Sequence, residues 1–283
     1  MIERFAGRQD GMIYETSSAG HARQLAQAAA QAGCDLVIAV GGDGTINEVV
    51  NGLAVNLAGV TLGIIPLGTG NDLARTLAIP LDPVEALDVI EQRRERRIDL
   101  INVKSYETNT YCVNVAAGGF SGQVDEVLNE DIKATWGPLA YLVSAASVLP
   151  DLTGYETTVA YEDEAPRRVD ALSIIVANGR TAGGGLRVAP QANPEDGLLD
   201  VVIVRYSSLL NLAGVAARLL AGNYLDSDVV VHKQVRRLSI ASRPGMWFNI
   251  DGELLTKEPV IFAVQPQALR VLVGPDYMPT PAA

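Results

Sequence analysis

The residues with the clearest chemical potential form a turn, Gly-Gly-Asp-Gly-Thr, at positions 41–45. An apolar run at 35–40 precedes it, and residues 46–53 follow with apolar side chains at helical spacing, which predicts strand, turn and helix. Glycines and a helix start expose backbone N–H groups that bind phosphate oxygens. Asp43 would then face a magnesium ion or an attacking hydroxyl. Alternatively, the turn is only structural and Asp43 is a helix cap.

A second polar turn, at 66–75, has the sequence Pro-Leu-Gly-Thr-Gly-Asn-Asp-Leu-Ala-Arg and follows another apolar run at 61–67. Ligands of open α/β sheets bind at the carboxyl ends of strands, so we expect both turns to line one crevice. Thr69 and Asn71 could donate hydrogen bonds to phosphate or ribose. For Asp72, capping of the predicted helix DLARTLA is at least as plausible a role.

Two later segments are also rich in polar turn residues. Asn-Pro-Glu-Asp-Gly at 193–197 is a favourable β-turn by composition, and Ile-Asp-Gly-Glu at 250–253 predicts a hairpin with Asp-Gly at its tip. The three glycines at 183–185 are compatible with a flexible loop. His21 and His232 have no Cys or second His at ligand spacing, so we expect no transition-metal site.

The elements that would position these turns divide the chain near Asp99. Before it, predicted helices at 18–32, 46–53 and 83–92 alternate with strands at 35–40 and 61–67, which indicates an α/β layer. After it, a hairpin around 107–109 and helices near 137–149 and 208–221 accompany many strands, and a last strand at 268–273 returns toward the first part. The other predicted strands cover 155–161, 169–177, 199–206, 229–241, 246–250 and 260–264.

Composition narrows the class of protein. The 283 residues have room for about two domains at about 150 residues each. With 22 basic and 33 acidic residues, the net charge of −11 argues against nucleic acid as a partner. Cys34 and Cys112 lie in or beside apolar runs, which predicts buried reduced thiols and a cytoplasmic location.

The chain shows no sign of export or of a membrane span. Its start lacks the pattern of a secretory signal. The longest weakly polar stretch, 136–150, is shorter than the ~20 residues that cross a bilayer, so we expect a buried or membrane-facing helix there and no transmembrane segment.

Four motifs together resemble the catalytic-domain family of diacylglycerol kinases, particularly its soluble bacterial lipid kinases. They occur in the family's order, at 41–53, 66–75, 183–204 and 249–253, and the resemblance covers most of the chain from Thr16 onward. Turns of the Gly-Gly-Asp-Gly type also occur in NAD kinases and phosphofructokinases, but the four motifs in combination are specific. The resemblance implies a phosphofructokinase-like α/β domain that binds ATP, over 1–99 with a return at 266–283, and a lipid-binding β-sandwich over 100–265.

The resemblance also assigns roles to residues. It makes Glu253 the catalytic base, with Asp43 helping to organise Mg-ATP, because a carboxylate can take the proton of the attacking alcohol. It places Mg²⁺ at Asn193 and Leu198, through backbone oxygens, and at the Asp196 carboxylate. The resemblance implies nucleotide contacts at Thr16, the turn 42–48 and Thr69, and the two glycine turns themselves add Gly41 and Asn71. The predicted nucleotide contacts are therefore Thr16, Gly41, Gly42, Asp43, Gly44, Thr45, Asn47, Glu48, Thr69 and Asn71.

One part of the family pattern is missing. Family members usually begin with a strand leading to an Asn-Pro-x-Ser-Gly loop that contacts ATP phosphates, and no such element precedes Thr16. We expect either that the true start lies upstream or that the α/β domain lacks its first strand. A missing strand would expose a parallel-sheet edge and remove backbone donors from the phosphate cradle.

The expected function is therefore that of an ATP-dependent lipid kinase that phosphorylates the hydroxyl of diacylglycerol or a related lipid. We expect it in the cytoplasm with peripheral contact with the inner face of the membrane, and the sequence leaves a homodimer open. One alternative is a kinase of a soluble alcohol, like NAD kinase. Another is a nucleotide- or lipid-binding protein without catalysis.

Overall fold

The computed structural model describes residues 11–119, 154–162, 164–251, 253–256 and 259–280; of 253–256 it describes only the backbone. In the amino-terminal part, helices alternate with two parallel strands. Leu36 lies opposite Thr61 and Gly41 opposite Pro66, so both glycine turns begin at the same edge of the sheet. The elements are α1 His21–Gln31, β1 Leu36–Gly41, α2 Asp43–Leu53, β2 Thr61–Pro66, α3 Asp72–Thr76 and α4 Pro83–Gln92.

Antiparallel strands dominate the remainder of the described chain. A helix, α5 Leu209–Ala221, and a short 3₁₀ turn, Tyr224–Asp226, interrupt them. The strands are β3 Glu95–Lys104, β4 Asn109–Cys112, β5 Val115–Gly119, β6 Tyr155–Tyr161, β7 Arg167–Ala177, β8 Leu199–Arg205, β9 Val230–Val235, β10 Arg237–Arg243, β11 Phe248–Ile250, β12 Glu253–Thr256 and β13 Val260–Leu272.

The long strand β13 joins the two parts. Its first half pairs antiparallel with β10, and Arg270 in its second half pairs in parallel with Thr61 of β2. The register against β3 shifts between Gln265 and Leu269. At this irregularity, the buried Asp99 carboxylate accepts hydrogen bonds from the N–H groups of Gln267 (2.6 Å) and Gly197 (2.7 Å).

Three apolar clusters account for the layers. One lies between the amino-terminal helices and strands and includes apolar side chains from the end of the chain, among them Leu269, Val271 and Tyr277. A second fills the sandwich, and a third lies beneath α5. The expected α/β domain with a β-sandwich is confirmed. The bounds of α4 are those predicted, and the Asp82 side chain caps it by accepting from Val84 N–H and Glu85 N–H.

Several sequence predictions need correction. The strand predicted at 229–241 is two strands that separate at Arg236, because β9 pairs with β8 whereas β10 pairs with β6 and β13. The strands predicted at 260–264 and 268–273 are one, β13. Cys34 is only half-buried, whereas Cys112 is buried, and both thiols are free. The helix predicted at 137–149 lies outside the described residues.

Candidate active site

The two glycine turns pack directly against each other. Gly41 C=O accepts a hydrogen bond of 2.9 Å from Leu67 N–H. A Cβ atom on Gly68 would lie 2.5 Å from the Cα atom of Gly42, closer than real Cβ contacts allow. Only glycine at this position lets the turns meet, so they form one rim at the carboxyl ends of β1 and β2.

Asn71 shapes the second turn. Its backbone is left-handed, with φ at 52°. Its side chain accepts from Gly68 N–H at 2.9 Å and donates to Gly68 C=O at 2.7 Å. The amide predicted to contact nucleotide is thus engaged within its own turn, whereas Thr69 at the tip is exposed.

The Asp43 carboxylate caps a helix, but not its own. It accepts hydrogen bonds from Asp72 N–H at 3.2 Å and Leu73 N–H at 3.1 Å, the first amides of α3. At the start of α2, the cap position is Gly42, with no side-chain hydrogen bond. Asp43 therefore ties the first glycine turn to the second.

The Asp72 side chain, expected to cap α3, instead reaches the glycine loop at 183–185. Its carboxylate accepts from Gly184 N–H at 2.8 Å and Gly185 N–H at 2.7 Å. Both glycines have positive φ, which turns consecutive N–H groups toward one acceptor. Burial raises the pKa of Asp72, the loop hydrogen bonds oppose that change, and the Asp43 charge adds to it.

From Asp72 the hydrogen bonds continue into the sandwich. Thr181 Oγ1 donates to the Asp72 carbonyl at 3.1 Å, and Asn114 Nδ2 donates to the Thr181 carbonyl at 2.9 Å. Asn114 N–H in turn donates to the Asp251 carboxylate at 3.1 Å. A continuous path of hydrogen bonds therefore joins the second glycine turn, at 66–75, to the Asp-Gly hairpin at 250–253.

Asp251 anchors that hairpin. It stands at the tip between β11 and β12 with φ at 48°, and Ile250 pairs with Glu253 across the turn, so the predicted hairpin is confirmed. The buried carboxylate also accepts from Val113 N–H at 2.7 Å and Val115 N–H at 3.1 Å. Burial raises its pKa to about 6 against the opposing hydrogen bonds. The sequence motif predicts the turn at Asp251 but not these hydrogen bonds.

A buried thiol completes the Asp251 site. Burial raises the pKa of the Cys112 thiol well above its usual range, and the charge of Asp251 adds to the shift. The thiol therefore stays protonated beside the Asp251 carboxylate.

The turn at 193–197 satisfies its own polar groups in part. Asn193 Oδ1 accepts from Glu195 N–H at 3.0 Å, and Asp196 Oδ1 accepts from Leu198 N–H at 2.9 Å. Burial raises the pKa of Asp196, and the charges of Asp200 and Asp99 raise it further. Hard oxygen donors of this kind suit Mg²⁺.

Within the described part of the chain, no three His, Cys, Asp or Glu side chains are grouped to hold a metal. A magnesium ion at this turn would thus take most ligands from backbone oxygens and water.

The other predicted nucleotide contacts differ in what they touch. Asn47 is buried and accepts from the Asn51 side chain. Glu48 caps α1 by accepting from Gly20 N–H at 2.8 Å and Ala22 N–H at 3.1 Å. Thr45 packs over Gly41, and Thr16 is exposed in the irregular segment before α1. A Cβ atom on Gly44 would meet nothing within 4 Å, so the rim is open there.

Comparison with known proteins identifies the family. Residues 4–103 match the sequence model of the diacylglycerol kinase catalytic domain, and residues 100–273 match that of the YegS C-terminal NAD kinase beta sandwich-like domain. A diacylglycerol kinase of Staphylococcus saprophyticus subsp. saprophyticus is 32% identical over 263 residues, covering 93% of this chain and 85% of that protein. The chain belongs to the diacylglycerol kinase family of lipid kinases.

Further relatives agree with this membership. A Pseudomonas fluorescens protein named probable lipid kinase YegS-like is 36% identical over 277 residues, 96% of this chain and 89% of its own. A solved diacylglycerol kinase from Bacillus anthracis str. Sterne has the same fold, with a TM-score of 0.78 at 24% identity over 94% of this chain and 86% of that chain. Among the described residues of this lipid kinase, no helix is long and apolar enough to cross a membrane.

Proposed function

We propose that this lipid kinase transfers the γ-phosphoryl group of ATP to the hydroxyl of diacylglycerol or a closely related lipid. The observation that supports it most is the hydrogen-bond path from Asp43 through Asp72, Thr181 and Asn114 to Asp251. This path fixes the glycine rim and the hairpin that carries Glu253 relative to each other. The names of the relatives favour diacylglycerol over a soluble alcohol such as NAD.

ATP is proposed to bind at the glycine rim. The amides of residues 42–45 open the first turn of α2, where the positive end of the helix dipole favours phosphate oxygens. The open space beside Gly44 admits a phosphate chain close to the backbone. Gly41, Thr45 and the exposed Thr69 are proposed to border this space, and Asn47, Glu48 and Asn71 to shape it from behind.

The transfer step needs a base and a fixed acceptor. Glu253 is proposed to accept the proton of the lipid hydroxyl as its oxygen attacks the γ-phosphorus. Asp251 anchors the hairpin from which Glu253 and strand β12 begin. Asp43 ties the glycine rim to the start of α3. Both carboxylates are therefore proposed to position the reacting groups. Mg²⁺, when bound by Asn193, Asp196 and Leu198, would supply positive charge that offsets the carboxylates of this turn.

The proposed division of labour follows the two parts of the chain. Residues 1–99 with 266–283 would bind ATP, and residues 100–265 would bind the lipid. The enzyme would act in the cytoplasm at the inner face of the membrane, without nucleic acid.

The test is transfer of labelled γ-phosphate from Mg-ATP to diacylglycerol, monoacylglycerol, sphingosine, undecaprenol and NAD. We expect label on diacylglycerol, and we expect Glu253→Gln to lower kcat by a factor of about 10² to 10⁴ because base catalysis is lost. Glu107→Gln, at an exposed position in the β3–β4 turn, is the control and should match wild type. Label on NAD alone would contradict the lipid substrate, and a kcat for Glu253→Gln within about threefold of wild type would contradict the base assignment.

A further inference from the structure

Helix α5 presents an apolar face to solvent. Only Leu212 and Val215 of its thirteen residues are buried. By helical spacing, Leu210, Ala213 and Ala217 lie on the opposite side, and Leu210 is 83% exposed. Leu209 and Leu220, at 64% and 56% exposure, extend this side toward both ends of the helix. We define the outer face of α5 as Leu209, Leu210, Ala213, Ala217 and Leu220.

The segment of chain that carries this face differs in charge from the whole chain. Residues 206–222 contain no Asp or Glu and one Arg, whereas the chain carries a net charge of −11. The exposed Arg218 lies in the last turn of α5, and the exposed Arg205 precedes the helix. The acids Asp226 and Asp228 come only after the helix has ended. An apolar surface flanked by arginines is complementary to an anionic bilayer.

The outer face of α5 is also connected to the candidate active site. Val215, on the inner side, belongs to the same apolar cluster as Ala189 and Ala192. The Tyr224 hydroxyl, just after α5, donates to the carbonyl of Val188. These residues follow the glycine loop that Asp72 holds. Helix α5 therefore lies within the part proposed to bind the lipid and packs on the segment that leads out of that loop.

We propose that the outer face of α5 docks this enzyme onto an anionic phospholipid bilayer. The inference rests on the proposed function, because a lipid acceptor embedded in a membrane must be reached from its surface. Leucines of the outer face enter the boundary between headgroups and acyl chains, and Arg205 and Arg218 contact lipid phosphates. The helix lies in the plane of the interface and does not span the membrane.

The test uses the full chain with Leu210→Glu and, separately, Leu220→Glu. Val84→Glu on α4 is the matched control, because it places the same charge at an apolar side chain that is 58% exposed in the ATP-binding part. Binding to vesicles of phosphatidylglycerol and phosphatidylcholine is measured by co-sedimentation. We expect at least a tenfold weaker binding for both leucine variants and a change within about twofold for Val84→Glu.

Activity separates docking from chemistry. Turnover of diacylglycerol in vesicles should fall with binding in Leu210→Glu, whereas turnover of dispersed short-chain diacylglycerol should stay within about twofold of wild type. If no diacylglycerol is phosphorylated by wild type but Leu210→Glu still loses vesicle binding, docking stands and the substrate assignment fails.

Three results would overturn the docking proposal. Wild type that does not bind vesicles is one, and leucine variants that bind as well as Val84→Glu are another. The third is a wild-type dimer that Leu210→Glu dissociates while vesicle binding is unchanged, which would assign the face to a second copy of this chain.

Discussion

Asp251 is the residue whose surroundings most constrain the candidate site. Its carboxylate accepts from three consecutive backbone N–H groups, of residues 113 to 115. Such a cluster of donors can be satisfied only by an acceptor, and an ionised carboxylate is the strongest acceptor available to a side chain. Asp251 thus fixes the hairpin that carries Glu253 without itself needing to touch substrate.

Replacing Asp251 with Asn should therefore lower both stability and turnover. The Asn side chain would place its NH₂ group, a donor, against a backbone N–H that is also a donor. Neither group could then be paired, and each buried unpaired group costs about 1–3 kcal/mol. Chemical denaturation at pH 7 measures the loss, and the exposed Asp276→Asn is the control. Equal unfolding free energies for the two variants would show that the three hydrogen bonds do not anchor the hairpin.

The pKa of Asp251, raised to about 6 from 3.8, makes this difference depend on pH. Between these two values the folded chain keeps a proton that the unfolded chain releases. The stability contributed by protonation is therefore complete below the lower value and is lost as the pH rises through the higher one. We expect the unfolding free energy of wild type minus that of Asp251→Asn to be about 1 kcal/mol larger at pH 5 than at pH 7. If this difference in unfolding free energy did not change with pH, Asp251 would not be the group that titrates in this range.

Among the elements, the first turn of α2 is where the nucleotide proposal can be separated from folding. Gly44 lies in this turn, and an added Cβ atom there meets no protein atom within 4 Å. The same is true of Gly214 in the middle of α5. Both helical glycines thus have space for a methyl group, but only Gly44 lies where phosphate is proposed to bind.

We expect Gly44→Ala and Gly214→Ala to keep or raise stability, by up to about 1 kcal/mol, because alanine is the better helix former. Only Gly44→Ala should raise the KM for ATP, by about fivefold or more, since its methyl group occupies the space proposed for phosphate. Steady-state kinetics on a dispersed short-chain lipid, together with thermal unfolding, checks both. Unchanged KM values in both variants would move the nucleotide away from this turn.

At the scale of the whole molecule, Asp72 is the point where the amino-terminal part holds the glycine loop of the sandwich. Its two hydrogen bonds to Gly184 N–H and Gly185 N–H link chain segments more than a hundred residues apart. Burial of this carboxylate is acceptable because these donors stabilise the charge. Loss of the Asp72 carboxylate should therefore release the glycine loop at 183–185 while the apolar cores of both parts stay folded.

Asp72→Asn should weaken this link by about 1.5–3 kcal/mol, the range for hydrogen bonds to a charged group. Hydrogen exchange of the two glycine amides should then become about 10- to 100-fold faster, and turnover should fall by at least a similar factor. The exposed Asp228→Asn is the control. Unchanged exchange at residues 184 and 185 would mean that other contacts hold the loop.

The sequence alone determined the local elements and the motifs. Apolar periodicity located β1, β2, α4 and α5 within a few residues, because each buries one face or one run against a core. Glycine-rich turns after apolar runs indicated the rim, and the four motifs in order indicated the family. These features depend on neighbours in the chain, which a sequence displays directly.

The partners of each carboxylate, in contrast, depend on how distant segments of the chain pack together. Asp43 caps α3, the helix after the second glycine turn, and Asp72 binds the glycine loop at 183–185. Glu48 caps α1, and Asp251 binds backbone N–H groups at the start of β5. Likewise, one irregular strand, β13, serves both parts of the molecule. Tertiary packing brings these short polar side chains to partners that are far away in the sequence. The spacing of residues along the chain therefore does not predict which partners meet.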